Sequence, residues 1–165
     1  MYKKILVPLD GSELAEKVLP HAAALAKGTG AELTLVTVVH LTLGAVAAKL
    51  ETIPEAAAER RAALRAEATI YLEKVQRDLK DQGVVARVRA LEGDVAHEII
   101  TYAEREGFDL VTMATHGRSG IDRFVMGSIA EKVVRSTIKP VLLIRAIPVV
   151  PRQVDWREIT VPPAP

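Results

Sequence analysis

The fold of this chain is decided by residues 113–128, M-A-T-H-G-R-S-G-I-D-R-F-V-M-G-S, and by what flanks them. An apolar run at 108–113 precedes this stretch and is short enough for a buried strand. Ser-x-x-Glu at 128–131 follows it and is typical of a capping box that opens a helix. Three glycines lie between, at Gly117, Gly120 and Gly127. Glycine lets backbone approach an anion, and the first turn of a helix presents unpaired N–H groups, so the pattern favours phosphate binding. An ordinary turn before an ordinary helix remains the alternative.

The composition is that of one ordinary globular domain. The chain has 165 residues, of which 49% are hydrophobic and 26% charged, and its formal net charge is +1. That balance argues against a general nucleic-acid binder, which needs a basic surplus. The chain has no cysteine, which excludes disulfides and thiolate chemistry. We expect no membrane span, because no apolar run approaches about 18 residues. We also expect no signal peptide and a cytoplasmic protein, because Pro8 interrupts the short N-terminal apolar run.

Apolar runs and helical patterns alternate along the chain. The first apolar run, a Ser12-capped helix and the next run form a βαβ unit, whose strands should be parallel with a right-handed crossover. Five strands alternating with four helices predict a Rossmann-like, doubly wound parallel sheet with helices on both faces. The predicted strands span 2–8, 31–39, 84–91, 108–113 and 140–145; the predicted helices span 12–28, 54–82, 94–106 and 128–137.

Three segments have a less regular pattern. Residues 40–53 lack a clean period and are interpreted as a long loop, which ends in a second capping box, T-I-P-E at 52–55. Arg87 and Arg89 alternate with apolar residues, which predicts an edge strand with one solvated face. We assign residues 1–146 to the domain and residues 147–165 to a proline-rich tail, whose composition argues against regular helix.

Several other phosphate-site and catalytic motifs are missing from the sequence. There is no G-x-x-x-x-G-K-[ST], no G-x-G-x-x-G after the first strand and no G-x-S-x-G. The four histidines are scattered without metal-ligand spacing, although His116 lies inside the central loop. Ligands of doubly wound sheets bind outside the carboxyl ends of the strands, which here carry Pro8, Leu9, Asp10, Val38, Met113 and Ala114.

Two stretches together resemble the universal stress protein family. They are K-K-I-L-V-P-L-D-G-S at 3–12 and the long run from Ala114 to Arg145, and the likeness covers residues 1–145 in the same element order. The resemblance implies an open five-stranded sheet of order 3-2-1-4-5. It also implies a stress-response protein that forms a homodimer through its last strand, here Val141 to Ile144. That apolar strand should be a sheet edge, which independently invites pairing.

One branch of that family binds ATP through G-x-x-G, nine residues, then G-[ST]. The spacing matches Ala114 to Gly117 and then Gly127-Ser128, with alanine in place of the first glycine, so we expect weaker or adjusted binding rather than none. A divalent ion, Mg²⁺, would be held mainly by the phosphates and water. The resemblance implies contacts with adenine and ribose, with the first phosphates and with the outer phosphates; the candidate residues are Pro8, Leu9, Asp10, Val38, Met113, Ala114, Gly117, Arg118, Gly127, Ser128 and Ile129.

Three functions compete on this sequence. The first is a regulatory dimer that holds ATP. The second is an interaction or structural dimer of the same fold that does not bind nucleotide, which Ala114 and the apolar tail favour. The third is a weak ATPase or autophosphorylating protein. Phosphoryl transfer requires a positioned base, a charge clamp and metal ligands, and only Asp10 and Ser128 are available for those roles.

Overall fold

A five-stranded parallel sheet organises the protein, and its strands follow the apolar runs of the sequence. The computed structural model describes residues 2–40, 54–115 and 127–145. Within them the strand order is β3-β2-β1-β4-β5, which confirms the predicted fold. The strands are β1 (Lys4–Pro8), β2 (Glu32–Val39), β3 (Ala86–Glu92), β4 (Leu110–Thr115) and β5 (Val141–Arg145). In the described residues no helix is long and apolar enough to cross a membrane.

The first predicted helix is wrong in one respect, because it is two helices rather than one. They are α1 (Glu13–Glu16) and α2 (Leu19–Thr29). Pro20 has no N–H to donate to the carbonyl four residues earlier, so a single helix cannot run through this point. The chain instead makes tighter bonds, from the Lys17 amide to the Leu14 oxygen (3.3 Å) and from the Val18 amide to the Ala15 oxygen (3.2 Å). A new helix then begins with Pro20 in its first turn, where the missing donor costs little.

The other helices lie close to where the sequence predicts them. They are α3 (Pro54–Asp81), α4 (Val95–Arg105) and α5 (Ser128–Ser136). The side chain of Asp94 caps α4 by accepting the His97 amide at 3.0 Å. Of the predicted loop at 40–53, residues 41–53 lie outside the described residues, as do the proline-rich tail and the first two residues of the second capping box.

The fourth strand begins two residues later than predicted, at Leu110 instead of Phe108. The reason is that the Phe108 amide closes the end of α4 by donating to the Ala103 oxygen at 2.9 Å. The Phe108 ring is then buried beneath the sheet, only 2% exposed, and lies 5.6 Å from the Tyr102 ring. Phe108 is therefore an anchor for the helix end rather than a residue of the strand.

Apolar side chains fill both faces of the sheet, as alternation along buried strands requires. On one face Ile5 and Leu35 pack with Leu72 of α3. On the other, Leu6 packs with Ile99 of α4 and Val133 of α5. The strand order reverses between β1 and β4, which pair as Ile5 with Leu110 and Leu6 with Val111. The carboxyl ends of these two strands open the crevice in which doubly wound folds bind ligands.

Candidate functional site

The residues after β1 are fixed to the neighbouring strand before they reach the crevice. The Leu9 amide donates to the Val36 oxygen at 2.8 Å, and the Thr37 hydroxyl donates to the Leu9 oxygen at 3.0 Å. Leu9 itself is buried. The chain therefore leaves the sheet in a defined direction and places Asp10 at the rim of the crevice.

A closed turn holds the Asp10 carboxylate. Its Oδ1 accepts the Ser12 amide at 2.9 Å and the Ser12 hydroxyl at 2.6 Å. The Ser12 hydroxyl oxygen in turn accepts the Ala15 amide at 3.1 Å, which caps α1 as predicted. Asp10 is exposed, and no described residue donates to its other oxygen. A carboxylate that the described residues hold through one oxygen is suited to accept hydroxyl groups of a ligand with the other.

The amino end of α5 forms the opposite side of the crevice, and here the predicted capping box is wrong. Gly127, not Ser128, is the N-cap, no side chain caps the helix, and Ser128 is its first residue. The Glu131 side chain pairs with Arg135 at 3.0 Å instead of reaching back toward the helix start. Because the helix cannot bond its own first amides, the N–H groups of this turn keep their partial positive charge for another partner.

These two sides enclose a cavity of about 290 Å³ at the carboxyl ends of β1, β2 and β4. Nine of the eleven predicted site residues line it, and the other two, Gly117 and Arg118, lie outside the described residues, as does His116. The nine are Pro8, Leu9, Asp10, Val38, Met113, Ala114, Gly127, Ser128 and Ile129.

Five further residues line the cavity that sequence reasoning did not select. They are Ala15, Val36, Val95, Ile99 and Ala130. Val95 and Ile99 belong to α4, whose apolar stripe indicates only burial against the sheet. The sequence feature that could have identified them as site residues is their position in the first turns of that helix, close to the carboxyl end of β3. With these side chains the lining is largely apolar, and Asp10 and Ser128 supply its side-chain polar groups.

Two hydrogen bonds fix the wall formed by the end of β2. The Gly93 amide donates to the Val39 oxygen at 3.2 Å, and the His40 Nδ1 lies 3.0 Å from the Gly93 oxygen. The Asp94 pKa is lowered mainly by the His97 amide bond, with a smaller contribution from Lys132 of α5. The two Gly93 bonds thereby tie the turn before α4 to the end of β2.

The geometry suits a ligand with an apolar planar part and an anionic part. Apolar walls with a few oriented polar groups are typical of small-molecule sites. The uncapped start of α5 favours an anion, whereas Asp10 favours hydroxyl donors. Among the described side chains, no group of three or more His, Cys, Asp or Glu residues is placed to hold a metal ion.

Comparison with known proteins gives a consistent family assignment. The profile of the universal stress protein family matches residues 1–145. The chain is 34% identical over 148 residues to universal stress protein MJ0531 of Methanocaldococcus jannaschii, covering 88% of this chain and 83% of that protein. It is 30% identical over 148 residues to universal stress protein YxiE of Bacillus subtilis, covering 88% of this chain and all of the relative.

Solved structures agree with this assignment. The structure of MJ0577 from M. jannaschii superposes with a TM-score of 0.73 at 32% identity, covering 88% of this chain and 96% of the other. A universal stress family protein from Burkholderia pseudomallei gives a TM-score of 0.62 at 31% identity, covering 87% and 96%. Both likenesses extend over nearly the whole of the compared proteins.

Proposed function

Because the chain belongs to the universal stress protein family, we propose that it is a regulatory stress-response protein that binds ATP in the crevice between β1 and α5. The observation that carries the proposal is the cavity that joins Asp10, the apolar walls and the uncapped start of α5. The match between Ala114–Ser128 and the nucleotide-binding pattern of one family branch supports it independently.

The adenosine would occupy the apolar part of the cavity. Val36 and Val38 of β2 and Val95 and Ile99 of α4 contribute apolar lining to this space, which suits a planar base that is poorly hydrated on its faces. Asp10 lies at the edge of the same space and would accept the ribose hydroxyls through its open oxygen. The role of Asp10 in this arrangement is recognition of the sugar, not proton transfer.

The phosphates would lie at the start of α5. Gly127 has no side chain to block approach, and Ser128 adds a hydroxyl beside the first amides of the helix. Helix amino ends bind phosphate because several N–H donors converge there with the positive end of the helix dipole. Mg²⁺ fits as an ion held by the phosphates and water, because the described side chains offer it no carboxylate cage.

Titration of the purified protein with Mg-ATP by isothermal calorimetry tests the proposal. We expect saturable binding of one nucleotide per chain, and AMP and cyclic AMP titrated in parallel rank the contribution of the outer phosphates. Absence of binding at millimolar Mg-ATP would contradict the proposal and favour an interaction protein of the same fold.

Ser128→Ala is expected to weaken Mg-ATP binding by about threefold to tenfold, because one hydrogen bond to phosphate is lost while the backbone amides remain. Ser136→Ala, at the other end of the same helix, is the matched control and should leave the dissociation constant within twofold. If the Ser128→Ala and Ser136→Ala variants bound Mg-ATP with equal affinity, the Ser128 hydroxyl would not be a phosphate ligand.

We further propose that a second copy of the chain pairs with the β5 edge. The Val111 amide donates to the Pro140 oxygen at 3.0 Å, so by parallel-ladder alternation the N–H and C=O groups of Val141 and Leu143 face the free edge. Val134 and Ile138 expose apolar surface just before this strand, and Ile138 is 83% exposed. Within the described ranges β5 is the last strand of the sheet, and an edge strand beside exposed apolar side chains is a favourable pairing surface.

A charge at Ile138 tests this interface. Ile138→Glu is expected to raise the dimer dissociation constant at least tenfold, because a carboxylate would be buried without a partner. Ile70→Glu on α3, where the isoleucine is 66% exposed, is the control and should remain dimeric. Light scattering coupled to size exclusion measures both, and a monomeric wild-type protein would refute the dimer.

A further inference from the structure

Tyr71 connects the long helix α3 to the turn that carries Asp10. Its hydroxyl donates to the Glu16 Oε1 of α1 at 3.0 Å. Its ring packs against the core on that face of the sheet. Tyr71 does not line the proposed nucleotide cavity, so it acts on that site only through other residues.

The surroundings of the phenol keep it protonated. Burial raises the Tyr71 pKa. The Glu16 carboxylate raises it further, because it accepts a hydrogen bond from the protonated hydroxyl and because it is negatively charged. The negative charge of Asp10 acts in the same direction, whereas the Gly11 backbone bond opposes it. The hydroxyl therefore stays protonated and donates to Glu16.

The Asp10–Ser12 turn has few other long-range attachments. The Ser12 bonds to Asp10 are local, and the bonds of Leu9 to β2 fix only the residue before the turn. Gly11 has a φ of +81°, and among the described residues beyond its chain neighbours no atom would lie within 4 Å of a Cβ placed on it, so this side of the turn is open. The bond from Tyr71 of α3 to Glu16 therefore adds a long-range restraint on the helix that follows the turn.

We propose that Tyr71 is a positioning residue that holds the Asp10 turn in the orientation needed to bind the ribose. This inference rests on the proposed nucleotide function and extends it to a residue on a different layer of the fold. The hydroxyl holds Glu16 at the end of α1, and the Glu16 amide donates to the Ser12 oxygen at 3.1 Å. The restraint thereby reaches the residue that binds the Asp10 carboxylate. Loss of the hydroxyl would leave Asp10 present but free to turn away from the crevice.

Tyr71→Phe keeps the packed ring and removes only the hydroxyl. We expect the dissociation constant for Mg-ATP to rise about threefold to tenfold, with little change in the midpoint of thermal unfolding. Affinity for 2′,3′-dideoxy-ATP should change less than twofold, because that nucleotide has no ribose hydroxyls for Asp10. A purely structural role for Tyr71 would instead weaken both nucleotides alike.

Two further measurements separate the possible failures. Tyr102→Phe on α4 is the matched control and should bind ATP and the dideoxy analogue as the wild type does. Hydrogen exchange of the nucleotide-free protein should be faster at the Ser12 amide in Tyr71→Phe than in the wild type. Wild-type protein that does not bind ATP would refute the proposed function. Wild-type affinity and unchanged Ser12 exchange in Tyr71→Phe would refute the positioning role alone.

Discussion

Gly127→Val is expected to weaken Mg-ATP binding at least about 100-fold while the protein remains folded. Gly127 lines the cavity at the start of α5, where a valine side chain would occupy the space in front of the first amides of the helix. The ligand would lose close approach to several donors at once, which is why this effect should exceed that of Ser128→Ala.

The fold should tolerate this change because Gly127 does not use a conformation reserved for glycine. Its φ of −54° and ψ of 143° are accessible to residues with side chains. Circular dichroism and thermal unfolding would verify the folded state, and calorimetry would measure the affinity.

Gly28→Val is the matched control for this substitution. No atom lies within 4 Å of a Cβ built on Gly28, which belongs to α2 and does not line the cavity. We expect ATP affinity within twofold of wild type. If Gly127→Val also bound ATP with wild-type affinity, the start of α5 would not be the phosphate site.

Phe108→Ala is expected to lower the free energy of unfolding by about 3–5 kcal/mol, the usual cost of deleting a buried phenylalanine ring. The ring is 2% exposed and contacts the Tyr102 ring. The Lys4 ammonium lies over it, 5.3 Å from the centroid of the Phe108 ring. Its removal would leave a cavity between α4 and the sheet and would loosen the helix end that the Phe108 amide closes.

Urea unfolding monitored by circular dichroism measures this change. Ile70→Ala is the control, because Ile70 is 66% exposed on α3 and alanine is the better helix former, so the change should stay within about 0.5 kcal/mol. A loss below about 1 kcal/mol for Phe108→Ala would mean that the core relaxes to fill the space.

The sheet could be predicted from the sequence because each strand is a short apolar run bounded by turn residues. Alternation in β3 identified its solvated face, and Arg87 and Arg89 are exposed as expected. The order of the strands could not be obtained from periodicity, which does not say which strands are neighbours. That order came from the family resemblance, and the observed pairing of β1 with β4 confirms it.

Each error has a local physical cause that the pattern of apolar residues does not show. Pro20 marked the break between α1 and α2, but the apolar period continues across it. Phe108 fits a strand pattern, yet its amide is used by α4. At the start of α5, Ser-x-x-Glu is compatible with two helix starts one residue apart, and the Glu131–Arg135 pair forms in place of a capping box.

The candidate site was predictable where it depends on chain direction and less so where it depends on packing. The ends of parallel strands gather at one rim of a sheet, so Pro8, Val38 and Met113 could be grouped before any coordinates. To predict that Ile99 lines the cavity, one must know the angle at which α4 crosses the sheet. To predict the bond from Tyr71 to Glu16, one must know how α3 lies against α1, and no local sequence pattern encodes that contact.

The two margins of the sheet differ in chemistry, and this difference limits growth of the proposed assembly. Charged side chains alternate along β3: Arg87, which is paired with Glu32 of the neighbouring strand β2, and Arg89 are both exposed. Charged side chains on an edge strand disfavour pairing with a further strand, whereas the β5 margin lies beside the exposed apolar side chain of Ile138. Two subunits would therefore pair through their β5 edges. Addition of further subunits at the β3 edges, which would extend the sheet without limit, would be disfavoured even at high protein concentration.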